Sequence, residues 1–257
     1  MTSILDRMRL DGLVAVVTGA SGGIGSAAAL AFAEAGAHVA LIGRNRPKLD
    51  QAADAVRGAG RTALAVEADV TDEAAVERAR AQIYDAFGRA DILFNNAGVT
   101  SPKRLETMSL SEWRSVVDVS LTGAFLCSRA FAPRMSEAGF GRIINMGSIL
   151  SGRGMATRTA YCAAKAGLAN FGAALAFELG PRGVTVNTVG ATVIVTDLNR
   201  DLIATQPELY DGVRLRSAVG RLGEVDDVTG TILFLASRAA SFITGQTIYV
   251  DGGYTAG

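Results

Sequence analysis

Tyr161 and Lys165 lie four residues apart at the head of the alanine-rich run Ala160–Leu179. On a helix that spacing puts both side chains on one face, so the phenol and the ammonium point the same way. A phenol titrates near ~10 unaided, and a neighbouring positive charge favours the phenolate. Lys165 is therefore expected to lower the pKa of Tyr161 and draw it towards acid/base work at neutral pH. Ser148 precedes the tyrosine by thirteen residues, at the end of the strand-like run Arg142–Ser148. A hydroxyl there can hold a substrate oxygen beside the phenol. A tyrosine and a lysine one turn apart also arise by chance, so the pair takes its meaning from the elements around it.

The first such element is Leu13–Thr18, a short continuous apolar run of the kind a strand buried on both faces shows. Gly19-Ala-Ser-Gly-Gly23-Ile-Gly25 follows it and leads into a proline-free, alanine-dense segment. Strand, glycine loop and helix N-terminus in that order form a phosphate-binding unit, because the backbone can approach a pyrophosphate and the helix end offers free N–H groups. A second strand, His38–Ile42, ends at Gly43-Arg44-Asn45. An acid at that point would bind a free ribose 2′-hydroxyl. A guanidinium with no carboxylate instead suits a 2′-phosphate, so NADP(H) is expected over NAD(H), with NAD(H) still open.

The remaining chain alternates in the same way. Helices are expected over Pro47–Ala59 and Asp72–Phe87, the latter capped by Thr71 or Asp72, and in two segments between Ser109 and Met135. Strands are expected over Thr62–Glu67, Ile92–Phe94, Arg142–Met146, Val184–Val189 and Thr247–Val250. This pattern predicts a single α/β domain over residues 1–257, a doubly wound parallel sheet covered by helices on both faces. Residues 192–217 have no clear periodicity and include Pro207; a loop of that length is expected to act as a lid over a site.

Composition narrows the function further. With 25 basic and 25 acidic residues and no basic run, the footprint of a nucleic-acid binder is missing. The two cysteines, Cys127 and Cys162, lack ligand-type spacing, so no metal site is expected, and they suit a reducing compartment. The N-terminus has no signal-peptide core, and no apolar run approaches the ~20 residues of a membrane helix. A cytoplasmic protein with no membrane partner is the expectation. His38, the only histidine, reads as a strand-end residue.

Taken together, Thr18-Gly-Ala-Ser-Gly-Gly-Ile-Gly25, Asn95-Asn-Ala-Gly98, Ser148, Tyr161-x-x-x-Lys165 and Asp251-Gly-Gly253 resemble the classical short-chain dehydrogenases/reductases over essentially the whole chain. The resemblance implies a Rossmann-type fold with a seven-stranded parallel sheet, commonly assembled as a homotetramer. It implies that Tyr161 is the general acid/base for hydride transfer, that Lys165 holds the nicotinamide ribose, and that Ser148 polarises the carbonyl. Gly19, Ser21, Gly23, Ile24 and Gly25 would line the diphosphate, Arg44 and Asn45 the 2′-phosphate, and Asp69 and Val70 the adenine. Asn96 and Gly98 would meet the ribose region, and Ile194 and Thr196 the carboxamide.

Two positions depart from the family pattern. Ser120 stands where the family commonly carries an asparagine that helps hold a water in a proton relay, and Ala191-Thr192 stands where Pro-Gly or Pro-Thr is usual. Ser120 joins the candidate catalytic residues on that ground.

The segments expected to face the substrate carry Lys103, Arg104, Arg153, Arg158, Asn199, Arg200, Arg214 and Arg216 with few aromatic residues. That favours a small hydroxylated or anionic substrate such as a sugar, polyol or small keto compound. A 3-oxoacyl thioester reductase is the enzymatic alternative, and a dinucleotide-binding sensor with little catalysis the non-enzymatic one.

Overall fold

The computed structural model of the chain describes residues 3–197 and 199–257, the side chain of Leu209 excepted, so part of the expected lid lies outside the described residues. In chain order the elements are α1 (Ile4–Met8), β1 (Val14–Thr18), α2 (Gly23–Glu34), β2 (His38–Gly43), α3 (Arg46–Gly58), β3 (Ala63–Glu67), α4 (Glu73–Phe87) and β4 (Ile92–Asn95). Then come α5 (Leu110–Val117), α6 (Gly123–Glu137), β5 (Gly141–Met146), α7 (Thr159–Leu179), β6 (Val184–Ala191) and β7 (Ile194–Val195). The last are α8 (Arg200–Thr205), α9 (Glu208–Arg216), β8 (Gly223–Glu224), α10 (Val225–Ala236) and β9 (Thr247–Val250).

Seven strands form one parallel sheet in the order β3-β2-β1-β4-β5-β6-β9, as the alternating pattern predicts. Strands β1, β4, β5 and β6 are buried along their whole length, which accounts for the continuous apolar run of β1, while β4, β5 and β6 also bury polar residues such as Asn95, Asn145 and Asn187. Successive residues feed opposite cores. Val17, Leu41 and Phe94 pack with Phe32 of α2 and Ile232 of α10; Val16, Ile42 and Leu93 pack with Ile83 of α4 and Phe131 of α6. Helix ends follow local chemistry. Asp72 caps α4 by accepting from the Ala74 and Ala75 N–H groups, and Ser109 and Glu112 form a reciprocal capping box at α5.

The strand order reverses between β1 and β4, which opens a crevice at their carboxyl ends where doubly wound sheets bind ligands. The glycine loop, the end of β4, and the residues after β5 and β6 all meet there.

Three features differ from the sequence reading. The two segments expected between Ser109 and Met135 join through a π-helical turn, Asp118–Thr122, that carries Ser120. The resulting stretch Leu110–Glu137 is long and apolar enough by composition to cross a membrane, yet more than half of its most apolar window is buried inside the fold. Residues 192–217 are largely ordered into β7, α8 and α9 rather than an irregular loop. Each of these elements is short, six and nine residues for the two helices, which leaves too few turns for a helical period to stand out in the sequence. Finally, α10 covers α2 on one face of the sheet; its start was readable from Glu224 and Asp227, which cap each other's ends.

Candidate active site

Helix α7, packed chiefly on β6, carries Tyr161 and Lys165 one turn apart. Lys165 is 3% exposed, and its Nζ donates to the Met146 carbonyl at 2.5 Å. The ammonium lies 5.6 Å from the centre of the Tyr161 ring. Burial lowers the pKa of Lys165 from its ordinary 10.5 to about 8.

Tyr161 departs from expectation. Burial pushes its pKa up, with the Ser148 hydroxyl and then the Arg158 charge pulling it back, and Lys165 is not what governs it. The ammonium faces the β5 carbonyl instead, and proximity in sequence did not reveal that bond. Ser148 begins a tight turn after β5. Its Oγ accepts from the Leu150 N–H at 3.1 Å, and its own N–H donates to Ser151 Oγ at 3.2 Å. With a backbone donor on its lone pair, the Ser148 hydroxyl proton is left for an oxygen acceptor.

Ser120 is 1% exposed, and its Oγ accepts from the Val99 N–H at 3.5 Å. A β-carbon on Gly98 would lie 3.4 Å from Lys165 Nζ and 3.5 Å from Ser120 Oγ, so Gly98, Ser120 and Lys165 surround one small space.

The glycine loop is built by close approach. A β-carbon on Gly25 would sit 2.4 Å from the Gly19 carbonyl oxygen and 2.6 Å from Asn96 Nδ2. Gly19 and Gly23 hold φ of 63° and 56°, which favours glycine. Helix α2 starts at Gly23 with no side-chain cap, leaving the first-turn N–H groups of Gly23, Ile24 and Gly25 for an outside acceptor. Ser21 sits beside the loop, 3.7 Å from where a Gly43 β-carbon would be.

Asn96 serves the loop from behind. Its Nδ2 donates to the Thr18 and Gly19 carbonyls, both at 3.1 Å, while Thr18 Oγ1 accepts from the Asn96 and Ala97 N–H groups at 3.0 and 3.1 Å. Thr18 is the clamp the sequence reading passed over; its place just before the loop was the available signal.

At the far end of the crevice Arg44 pairs with Asp69 at 3.6 Å, both partly exposed. Asp69 also accepts from the Thr71 N–H and hydroxyl, and the backbone bond is the main reason its pKa is lowered. Asn45 Oδ1 caps α3 by accepting from the Lys48 N–H, and Val70 packs beside Gly123, so both also do structural work. Ile194 is buried in β7. Thr196 bonds through its N–H to Asn199 Oδ1 at 2.8 Å, and its methyl lies 3.4 Å from the Gly23 β-carbon position, bringing the base of the expected lid to the glycine loop. Thr192 Oγ1 is buried with no partner among the described residues.

A glycine cradle that any β-carbon would fill, an uncapped helix end and an orphaned hydroxyl fit a bound dinucleotide. With Ser148, Tyr161 and Lys165 at the same strand ends, fold and site define a dinucleotide-linked oxidoreductase architecture. Residues 19–255 match the family model described as Enoyl-(Acyl carrier protein) reductase. The chain is 42% identical to cis-4-hydroxycyclohexanecarboxylate dehydrogenase of Sinomonas cyclohexanicum, covering 95% of this chain and 96% of that one. It is 43% identical to a 3-oxoacyl-[acyl-carrier-protein] reductase of Synechocystis, covering 95% and 97%. Its structure is similar to a gluconate 5-dehydrogenase of Burkholderia cenocepacia in complex with NADP and tartrate, with TM-score 0.94, 34% identity, and 99% and 100% of the two chains covered. The chain belongs to the classical short-chain dehydrogenases/reductases, oxidoreductases acting between alcohol and carbonyl.

Proposed function

We propose that this enzyme interconverts a carbonyl and a secondary alcohol on a small polar substrate, using NADP(H), with Tyr161 as general acid/base. The observation that carries the reading is the convergence of the Ser148 hydroxyl, the Tyr161 phenol and the buried Lys165 ammonium beside a glycine cradle. A nicotinamide dinucleotide, when bound, supplies or accepts the hydride. The Ser148 hydroxyl donates to the substrate oxygen and fixes it next to the phenol. Tyr161 gives its proton to that oxygen in reduction and takes it back in oxidation. Burial keeps the phenol protonated at neutral pH, which suits reduction.

Lys165, anchored on the Met146 carbonyl, is placed to bind ribose hydroxyls and to bring positive charge to the phenolate. The uncapped N–H groups of Gly23, Ile24 and Gly25, with Gly19 and Ser21, would hold the diphosphate, and Arg44 with Asn45 the 2′-phosphate. Asp69 and Val70 would meet the adenine, Gly98 the ribose with Asn96 behind it, and Ile194 and Thr196 the carboxamide. NADP in the gluconate 5-dehydrogenase neighbour supports this cofactor. Residues 192–217 would cover the substrate, and Ser120 would keep water near Lys165.

The exposed rings of Phe177 and Phe242 support a homo-oligomer, and sedimentation would give its subunit number. The test of function is a panel of paired ketones and alcohols with NADPH or NADH; turnover of none of them would remove the reading. The Synechocystis relative favours one second reading, reduction of a 3-oxoacyl thioester. Product from an acyl-carrier thioester but from no free ketone would decide for it.

A further inference from the structure

Seven cations were expected around the substrate, and the structure sorts them. Lys103 pairs with Glu112 at 2.6 Å, Arg104 with Glu106 at 3.7 Å, Arg200 with Asp197 at 3.8 Å and Arg214 with Asp211 at 3.0 Å. Arg153, Arg158 and Arg216 have no Asp or Glu partner among the described residues. Arg153 donates to the Thr255 carbonyl, Arg216 to the main-chain oxygen of Gly257 at 3.2 Å, and Arg158 to Thr100 Oγ1 at 3.0 Å. Each guanidinium has five N–H donors, so these single bonds leave most of its capacity open.

The three are not scattered. Arg153 and Arg216 line one cleft of about 330 Å³, whose other walls include Ile149, Leu150 and Tyr254. Arg216 lies over the Tyr254 ring, 4.8 Å from its centre. Tyr161 packs against the cluster of Ile149, Leu150 and Tyr254, the same residues that wall the cleft. Arg158 is near enough to the phenol to favour its ionised form. The volume lies at the small end of ligand pockets, roughly 300–1,000 Å³.

Taking the proposed alcohol–carbonyl chemistry at Tyr161 as given, we propose that the substrate is a small hydroxy or keto acid whose carboxylate is held by Arg153 and Arg216, with the reacting carbon over Ser148 and Tyr161. Two guanidinium groups lining one small cleft match a planar carboxylate, and neither has an Asp or Glu partner that a substrate carboxylate would have to displace. Arg158 adds positive potential near the reacting oxygen. The Sinomonas relative is a dehydrogenase of a hydroxycyclohexanecarboxylate and the Burkholderia relative one of gluconate, which agrees with the class.

The test compares cis-4-hydroxycyclohexanecarboxylate with its neutral carboxamide as substrates for the wild type, Arg153→Gln, Arg216→Gln and Arg104→Gln. In parallel, binding of tartrate and of inorganic phosphate to the same proteins is followed by calorimetry. The expected result is a wild-type preference for the acid in kcat/KM, carried by KM, that falls about 10- to 100-fold in each cleft variant, as loss of one charge-assisted bond implies. Arg104→Gln, outside the cleft, keeps the preference.

An equal fall for acid and amide in the cleft variants would mean that the two arginines only tie down the 251–257 segment, and would overturn the proposal. So would a preserved acid preference, or phosphate binding more tightly than tartrate. If no protein turns over either substrate and the ketone and alcohol panel is inert as well, the oxidoreductase reading fails by itself. Tartrate binding that is lost in the two cleft variants would then still uphold the anion site, and tartrate binding that survives in them would end it.

Discussion

Lys165→Met isolates the buried ammonium. In the folded protein Lys165 is almost fully enclosed and its pKa drops to about 8 from an ordinary 10.5. The folded state therefore holds this proton less tightly than the unfolded chain does. Below about pH 8 both states are protonated and the full cost of enclosing the charge is present. Between about pH 8 and 10.5 the folded protein sheds a proton the unfolded chain keeps, so stability rises with pH through that window. At 1.36 kcal/mol per tenfold change in affinity, the full effect is about 3 kcal/mol, most of it gained by pH ~10.

Denaturant unfolding of the wild type and Lys165→Met at pH 7 and pH 10, at one protein concentration, reads this directly. The bond from Nζ to the Met146 carbonyl adds an offset at both pH values, and groups shared by the two proteins cancel in the comparison. The wild type should gain about 2–3 kcal/mol on the variant between the two pH values. A difference between the proteins that does not change with pH would show that Lys165 titrates like a solvent-exposed lysine, and the enclosed geometry would be wrong.

Gly25→Ala places a methyl 2.4 Å from the Gly19 carbonyl oxygen, a backbone atom that cannot swing aside, and 2.6 Å from Asn96 Nδ2. Loss of about 1–3 kcal/mol in unfolding free energy is expected, with weaker dinucleotide binding by titration calorimetry. Arg44→Ser should weaken NADPH binding and leave NADH binding within about twofold, since only the former carries a 2′-phosphate for the guanidinium; parallel fluorescence titrations check it. Ser120→Asn should leave the thermal midpoint in place and maintain or raise turnover, because an amide can donate and accept at two separated points beside Lys165. A clear drop in its hydride-transfer rate would count against a water relay at this position.

Much of the fold was legible because the strands are buried on both faces. β1 is a continuous apolar run, and β5 and β6 keep an apolar frame around the buried polar residues Arg142, Asn145, Thr185, Asn187 and Thr188. The glycine loop was legible for a similar reason: Gly25 tolerates no side chain at all. What escaped depends on partners distant in sequence. Nothing near Lys165 in the chain shows that it bonds to Met146 across the sheet, or that burial rather than the ammonium sets the Tyr161 pKa. Asn45 and Asn96 were read as ligand contacts, yet their side chains cap a helix and clamp a loop. The arginines around the cleft look alike in sequence, and only the position of each carboxylate separates Arg214 from Arg216.

The central claim is that the Tyr161 hydroxyl moves the proton. Single-turnover oxidation of NADPH by 4-oxocyclohexanecarboxylate, in the wild type and in Tyr161→Phe, tests it most directly, since the ring stays and only the hydroxyl goes. A fall of about 10²- to 10⁴-fold in the observed rate is predicted, the range one general acid/base contributes. Equal rates in the two proteins would contradict the account.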